Sequence, residues 1–246
     1  MEHIGVRRVE GLGDPVLEPS RTVVPLQPKA KGIPEAPPRT MRVALVGNFA
    51  PRKCGIATFT TDLCEKLGHY DPEIALDVYA LQDKADPVVH ERAYSEIDRA
   101  SLRSYARAAR QMNADGVDAV WLQHEFGIFG GHCGSHVLHF VDRIAAPLIV
   151  TMHTVLSRPS AKQEAIVSRL IARASRIMVM CRAGREVLIE RYRADPDRVV
   201  VIEHGAPDRP MTALRRSGPR TLMTFGLLGP GNGLETAIEA LPTIIA

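Results

Sequence analysis

No apolar run in this 246-residue sequence approaches the roughly 20 residues needed to cross a bilayer. The longest, at 147–152 and 177–181, fall far short of it, so any membrane contact is peripheral. Cys54, Cys64, Cys133 and Cys181 form no C-x-x-C pair and follow no signal peptide. That argues against a disulfide framework and a thiolate zinc site, and points to reduced thiols in a cytoplasmic protein. Charge of one sign is also missing: 31 basic against 28 acidic residues leave a net +3, and a pI near 8.7 is too mild to imply nucleic acid. There is no G-x-G-x-x-G, no P-loop and no H-E-x-x-H, which lowers the case for a dinucleotide dehydrogenase, an NTPase or a zinc peptidase.

What is present is an ordinary globular balance, 45% apolar and 24% charged, over a length that suits one large α/β domain or one domain with attached segments. Residues 1–40 hold 7 of the 18 prolines and no apolar periodicity, the composition of a disordered Pro-rich leader. At Met41, a second candidate start, the text changes sharply to Met-Arg-Val-Ala-Leu-Val-Gly-Asn, a buried strand running into a glycine turn.

From there, strands near 42–47, 74–81, 117–123, 148–152, 176–180 and 199–203 alternate with helices near 56–68, 99–114, 134–145, 160–174 and 183–192. Nearly all-apolar strands separated by amphipathic helices predict a parallel sheet covered on both faces, with right-handed crossovers. The expectation over 41–205 is a doubly wound, Rossmann-like α/β domain. A polar linker at 206–220 leads to a new strand near 221–227, a glycine turn and a helix from about Leu234. This reads as the first βα unit of a truncated second domain, since one βα unit cannot bury its own faces. Its apolar residues, among them Leu222, Met223, Phe225, Leu227, Ile238 and Ile244, would then need a cover.

Open α/β sheets bind ligands beyond the carboxyl ends of their strands. Four strand ends carry the informative residues. In Gly47-Asn48-Phe49-Ala50-Pro51-Arg52-Lys53-Cys54-Gly55-Ile56, a long turn enters a helix whose free amides favour an anion or a sugar hydroxyl; the alternative is a glycine that turn geometry alone requires. At 123–131, His124 and Glu125 are suited to proton transfer or to hydrogen bonding with hydroxyls, unless the histidine merely bonds nearby backbone. His153, in Thr151-Met152-His153-Thr154, follows a buried strand directly and so faces the crevice. The glycine turn with Gly229, Gly231, Asn232 and Gly233 is, in isolation, a weak phosphate cradle. A competing arrangement, His132, His136 and His139 with Cys133 on one helix face, could hold a metal, but ordinary helix-face histidines fit the spacing as well. No metal site is expected.

In their order along the chain, the Cys54-Gly55-Ile56-Ala57 turn, the 123–131 segment, Thr151-Met152-His153-Thr154, Glu203-His204-Gly205-Ala206-Pro207 and the 225–233 turn resemble the landmarks of glycosyltransferase family 4. The resemblance implies a GT-B N-terminal domain and retaining transfer of a sugar from a nucleoside-diphosphate sugar to an acceptor hydroxyl, with no cofactor. It implies that His153 is catalytic, hydrogen-bonding the donor sugar. Gly55, Ile56, His124, Glu125, His204, Gly205, Gly231, Asn232 and Gly233 are expected to bind donor or acceptor. GDP-mannose is the donor suggested at family level.

The sequence departs from the family's pattern in the glycine turn. Asn232 stands at the lysine position and Leu227 at the arginine position, so both charges that would hold the diphosphate are missing. The family's second-domain glutamate pair is absent from these residues. Two expectations follow: a glycosyltransferase that needs a separate chain to complete its second domain, or a non-catalytic remnant that binds acceptors.

Overall fold

The chain is described from a computed structural model, which covers residues 40–206, 222–223 and 233–245. Seven strands form one sheet, all parallel: β1 (Met41–Gly47), β2 (Ile74–Gln82), β3 (Ser95–Asp98), β4 (Ala119–His124), β5 (Leu148–Met152), β6 (Arg176–Val179) and β7 (Val199–Val201). Their order is β3-β2-β1-β4-β5-β6-β7. The chain therefore winds outward from β1 in one direction, crosses back, and winds outward from β4 in the other. That reversal opens a crevice at the carboxyl ends of β1 and β4, where a doubly wound sheet binds its ligand.

The crossovers are helices α1 (Gly55–Tyr70), α2 (Leu102–Asp115), α3 (His136–Val141), α4 (Ala161–Arg173) and α5 (Arg182–Glu190); α6 (Leu234–Ile245) stands further along the chain. Local chemistry fixes their ends. Ser160 and Gln163 form a reciprocal capping box on α4, and Ser101 caps α2. Ala44, Leu45, Val120, Leu122, Leu148 and Val150 are buried in the central strands, because helices cover both faces.

Two elements differ from the sequence pattern. β3 was not expected, because Ser-Glu-Ile-Asp has one apolar residue, and only Ile97 is buried. It is a short polar edge strand, the form in which a sheet limits pairing with other chains. The helix expected near 134–145 spans only His136–Val141. Before it, Cys133 has φ 55° and breaks the turn. After it, Asn113 of α2 takes over the backbone: its Nδ2 donates to the Arg143 carbonyl at 2.8 Å, and the Ala145 amide donates to its Oδ1 at 2.8 Å. The broken turn also keeps His132 off the α3 face, and among the described residues no three His, Cys, Asp or Glu side chains converge as metal ligands.

Of the expected second-domain unit, α6 is present from Leu234, and Leu222, Met223, Ile238 and Ile244 are exposed. Residues 1–39, 207–221, 224–232 and 246 lie outside the described residues, and with them the leader, most of the linker and strand, Gly231 and Asn232.

Candidate active site

The site is built on the carboxyl ends of β1, β4 and β5. β1 ends at Gly47, and the chain passes through Asn48 and a cis Ala50–Pro51 bond to α1. Cys54 caps that helix: its Sγ accepts from the Ala57 amide at 3.3 Å and from Asn48 Nδ2 at 3.2 Å. Arg52 is tied back by Asp86 at 3.2 Å and by the Asp86 carbonyl at 2.8 Å. Lys53 is exposed, with no ion-pair partner among the described residues. A cleft of about 580 Å³ lies between this loop and the β4 end, lined by Asn48, Lys53, Cys54, Ile56, Glu125 and Ile128 among others.

Gly55 opens α1 with neither of the usual reasons to be glycine. Its φ is not positive, and a Cβ built there meets no atom within 4 Å. Turn geometry therefore does not demand it. The effect of the missing side chain is open space in front of the first amides of α1, those of Gly55 and Ile56.

His153 follows β5 directly. Its amide donates to the His124 carbonyl at 3.0 Å, which continues the ladder between β4 and β5. Its ring is half-buried, with Nε2 3.0 Å from Gln123 Oε1 and the ring edge against Phe59 of α1, centroids 4.9 Å apart at 89°. Phe59 also packs on His204, at 5.3 Å, so one aromatic ring gathers the residues after β5 and β7. Burial, and then the nearby His204, push the His153 pKa down to about 4, which leaves the ring neutral at physiological pH. His153 lines a second cleft of about 270 Å³, together with Val155, Cys181 and Gly184 among others.

The structure separates the expected site residues by accessibility. Gly55, Ile56, His153, His204 and Gly205 all reach the surface at the carboxyl edge of the sheet. His124 does not. It is fully buried, stacked on Phe129 and edge-on to Phe126, and neither ring nitrogen has a partner. With its pKa held down to about 3 by burial, it has no means of exchanging protons with a ligand in this arrangement. Glu125 is likewise committed: Oε1 accepts from the Phe126 amide at 2.9 Å, and Oε2 accepts from the Thr154 hydroxyl. Its carboxylate staples the β4 end to the β5 end while remaining part of the lining of the larger cleft. Gly233 is described, with φ 72°, at the start of α6.

Sequence reasoning overlooked Gln123 and Phe59. Gln123 carried a signal, an amide in the last turn of an otherwise apolar strand, where its buried polar group needs a partner. Phe59 carried none, because one aromatic on an amphipathic helix reads as core.

The profile of glycosyltransferase family 4 matches residues 55–208, well over half of the chain. Among solved structures, similarity extends to a glycosyltransferase from Rickettsia africae ESF-5, with 16% identity, covering 67% of this chain and 43% of that one at a TM-score of 0.47. A sucrose-phosphate synthase from Thermosynechococcus elongatus shows 12% identity, covering 67% of this chain and 90% of that one, with a TM-score of 0.45. An α-glucosyltransferase solved with UDP and a 13-mer DNA shows 14% identity, covering 58% and 38%, with a TM-score of 0.43. This chain thus spans less than half the length of the first and third of these. No curated protein matches it. With the profile running from the first residue of α1 to beyond β7, the chain belongs to glycosyltransferase family 4.

Proposed function

We propose that this chain forms the N-terminal, acceptor-side half of a retaining glycosyltransferase that moves a sugar from a nucleoside-diphosphate sugar to an acceptor hydroxyl. In that reaction the acceptor oxygen bonds the anomeric carbon, the bond from that carbon to the phosphate oxygen breaks, and the acceptor proton leaves with the diphosphate. The observation that carries the proposal is the imidazole of His153, neutral and half-buried after β5 and packed edge-on against Phe59 of α1, the helix that the uncrowded Gly55 opens. Neutral His153 accepts or donates a hydrogen bond to the sugar without adding positive charge next to an oxocarbenium-like centre. The α1 amides, with exposed Lys53 beside them, stabilise the departing diphosphate. GDP-mannose remains the proposed donor on family grounds, and a separate chain is proposed to complete the second domain, in a cytoplasmic setting.

The test uses Gly55→Leu. Because the position is spacious and not left-handed, the variant should unfold at the wild-type urea midpoint. It should nonetheless lose roughly tenfold or more in affinity for nucleoside-diphosphate sugars by calorimetry, since a side chain now fills the approach to the amides. Unchanged affinity across UDP-, GDP- and ADP-sugars would remove the Gly55 turn from the site.

A second function, acceptor binding without transfer, is favoured by one observation, the neutral Asn232 at the family's lysine position. Charge-assisted contacts are roughly twice as strong as neutral ones, so this turn holds a diphosphate less firmly. Saturable acceptor binding with no donor affinity would support it.

A further inference from the structure

Gln123 is fully buried at the carboxyl end of β4, and the residues around it fix where its side chain lies. Its strand neighbour toward β1 is Gly47. A Cβ there would come within 3.0 Å of Gln123 Cβ and 3.2 Å of its Cγ, so the glycine makes room for the amide to lie across the strand ends. From that slot Gln123 Oε1 reaches His153 Nε2 at 3.0 Å, while the His153 amide is held on the His124 carbonyl. The imidazole is thus anchored at its backbone and at one ring nitrogen. Among the described residues Nδ1 has no partner, and it is not among the buried unpaired atoms.

We infer that Gln123 is a positioning residue that holds His153 as the Nε2–H tautomer, with Nε2–H donating to Gln123 Oε1, and so presents the Nδ1 lone pair to the crevice as an acceptor for a substrate hydroxyl. The 3.0 Å contact supports this tautomer with Oε1 facing the ring, an orientation that leaves Gln123 Nε2 buried without a partner among the described residues. The use of Nδ1 on a sugar hydroxyl rests on the glycosyltransferase function proposed above. Hydrogen bonding at one imidazole nitrogen dictates which nitrogen carries the proton. The opposite tautomer would require the amide to be reversed, since an unprotonated Nε2 facing Oε1 sets two acceptors against each other. The other titratable groups near the ring do not compete for Nε2. His124 lies behind with both nitrogens unpartnered, Glu125 is occupied by Phe126 and Thr154, and His204 stands across Phe59 with its Nδ1 on the Gly205 carbonyl. The depressed His153 pKa agrees with a ring that stays neutral while it does this.

The tautomer is measurable without substrate, so its test is independent of any transferase activity. Long-range proton–nitrogen NMR spectra of the full chain, with the ring assigned by its loss in His153→Gln, should show a protonated Nε2 and an unprotonated Nδ1 at neutral pH. In Gln123→Leu the tautomers should mix. In Gln123→Glu the carboxylate favours both Nε2–H and the imidazolium, so the His153 pKa should rise by about one unit or more. A wild-type spectrum with the proton on Nδ1 would overturn the inference, whatever the variants do. So would a folded Gln123→Leu with the tautomer unchanged. If the tautomer stands as expected but no sugar perturbs Nδ1, the positioning role survives and the glycosyltransferase use of it fails.

Discussion

Replacing His153 by alanine is expected to lower sugar transfer by roughly 100-fold to 1000-fold, the usual cost of deleting one preorganised polar group beside a reacting centre. The fold should tolerate the change. The ring is only half-buried and meets Phe59 by its edge, so a stability loss of about 1 kcal/mol is expected. Initial rates with labelled donor, together with urea midpoints for both proteins, separate lost chemistry from lost folding. A variant that transfers at more than about a tenth of the wild-type rate would deny His153 its catalytic place.

The second large effect is on stability in acid. The unfolded state binds a proton on a histidine near pH 6.5, whereas folded His124 resists protonation until about pH 3. Between these values the unfolded chain carries more protons, so stability falls as pH falls. By pH 4 His124 alone should cost on the order of 3 kcal/mol relative to neutral pH. Half-buried His153, titrating near 4, adds a smaller share over the same window. His124→Phe is expected to remove the larger part, because a phenyl ring suits the pocket between Phe126 and Phe129 and binds no proton. Urea unfolding at pH 7 and pH 4 checks this. The variant should lie at or above wild type at pH 7 and well above it at pH 4. Equal pH dependence in the two proteins would mean that His124 is not protected from protonation as placed here.

The doubly wound sheet was legible because the central strands, such as 43–46 and 148–152, are continuous apolar text, and only a parallel sheet buried on both faces requires that. β3 was not legible, because an edge strand has one buried residue to pattern. The length of α3 depended on Asn113, a residue of another helix more than twenty positions away, which no local periodicity encodes. At the site, His153 drew notice as a histidine directly after a buried strand, yet His124, which ends β4, is fully buried, so position at a strand end does not by itself say which ring reaches the crevice. His124 and Glu125 looked equally suited by type. Packing gives them different surroundings: Phe126 and Phe129 close over one, and Thr154 bonds the other. Gly55 became more informative in the structure than in the sequence, since its φ and its uncrowded surroundings remove the alternative that turn geometry alone requires a glycine there.

The most direct test of a sugar-nucleotide crevice at this sheet edge is a titration of the full chain with nucleoside-diphosphate sugars and with sugar acceptors, followed on the histidine ring resonances. The ring of His153 and the amides of Gly55 and Ile56 are predicted to shift saturably, while His69 and His139, placed on α1 and α3 away from the strand ends, stay fixed. An unmoved His153 at saturating ligand, or shifts confined to other histidines, would contradict the assignment of this crevice as the site.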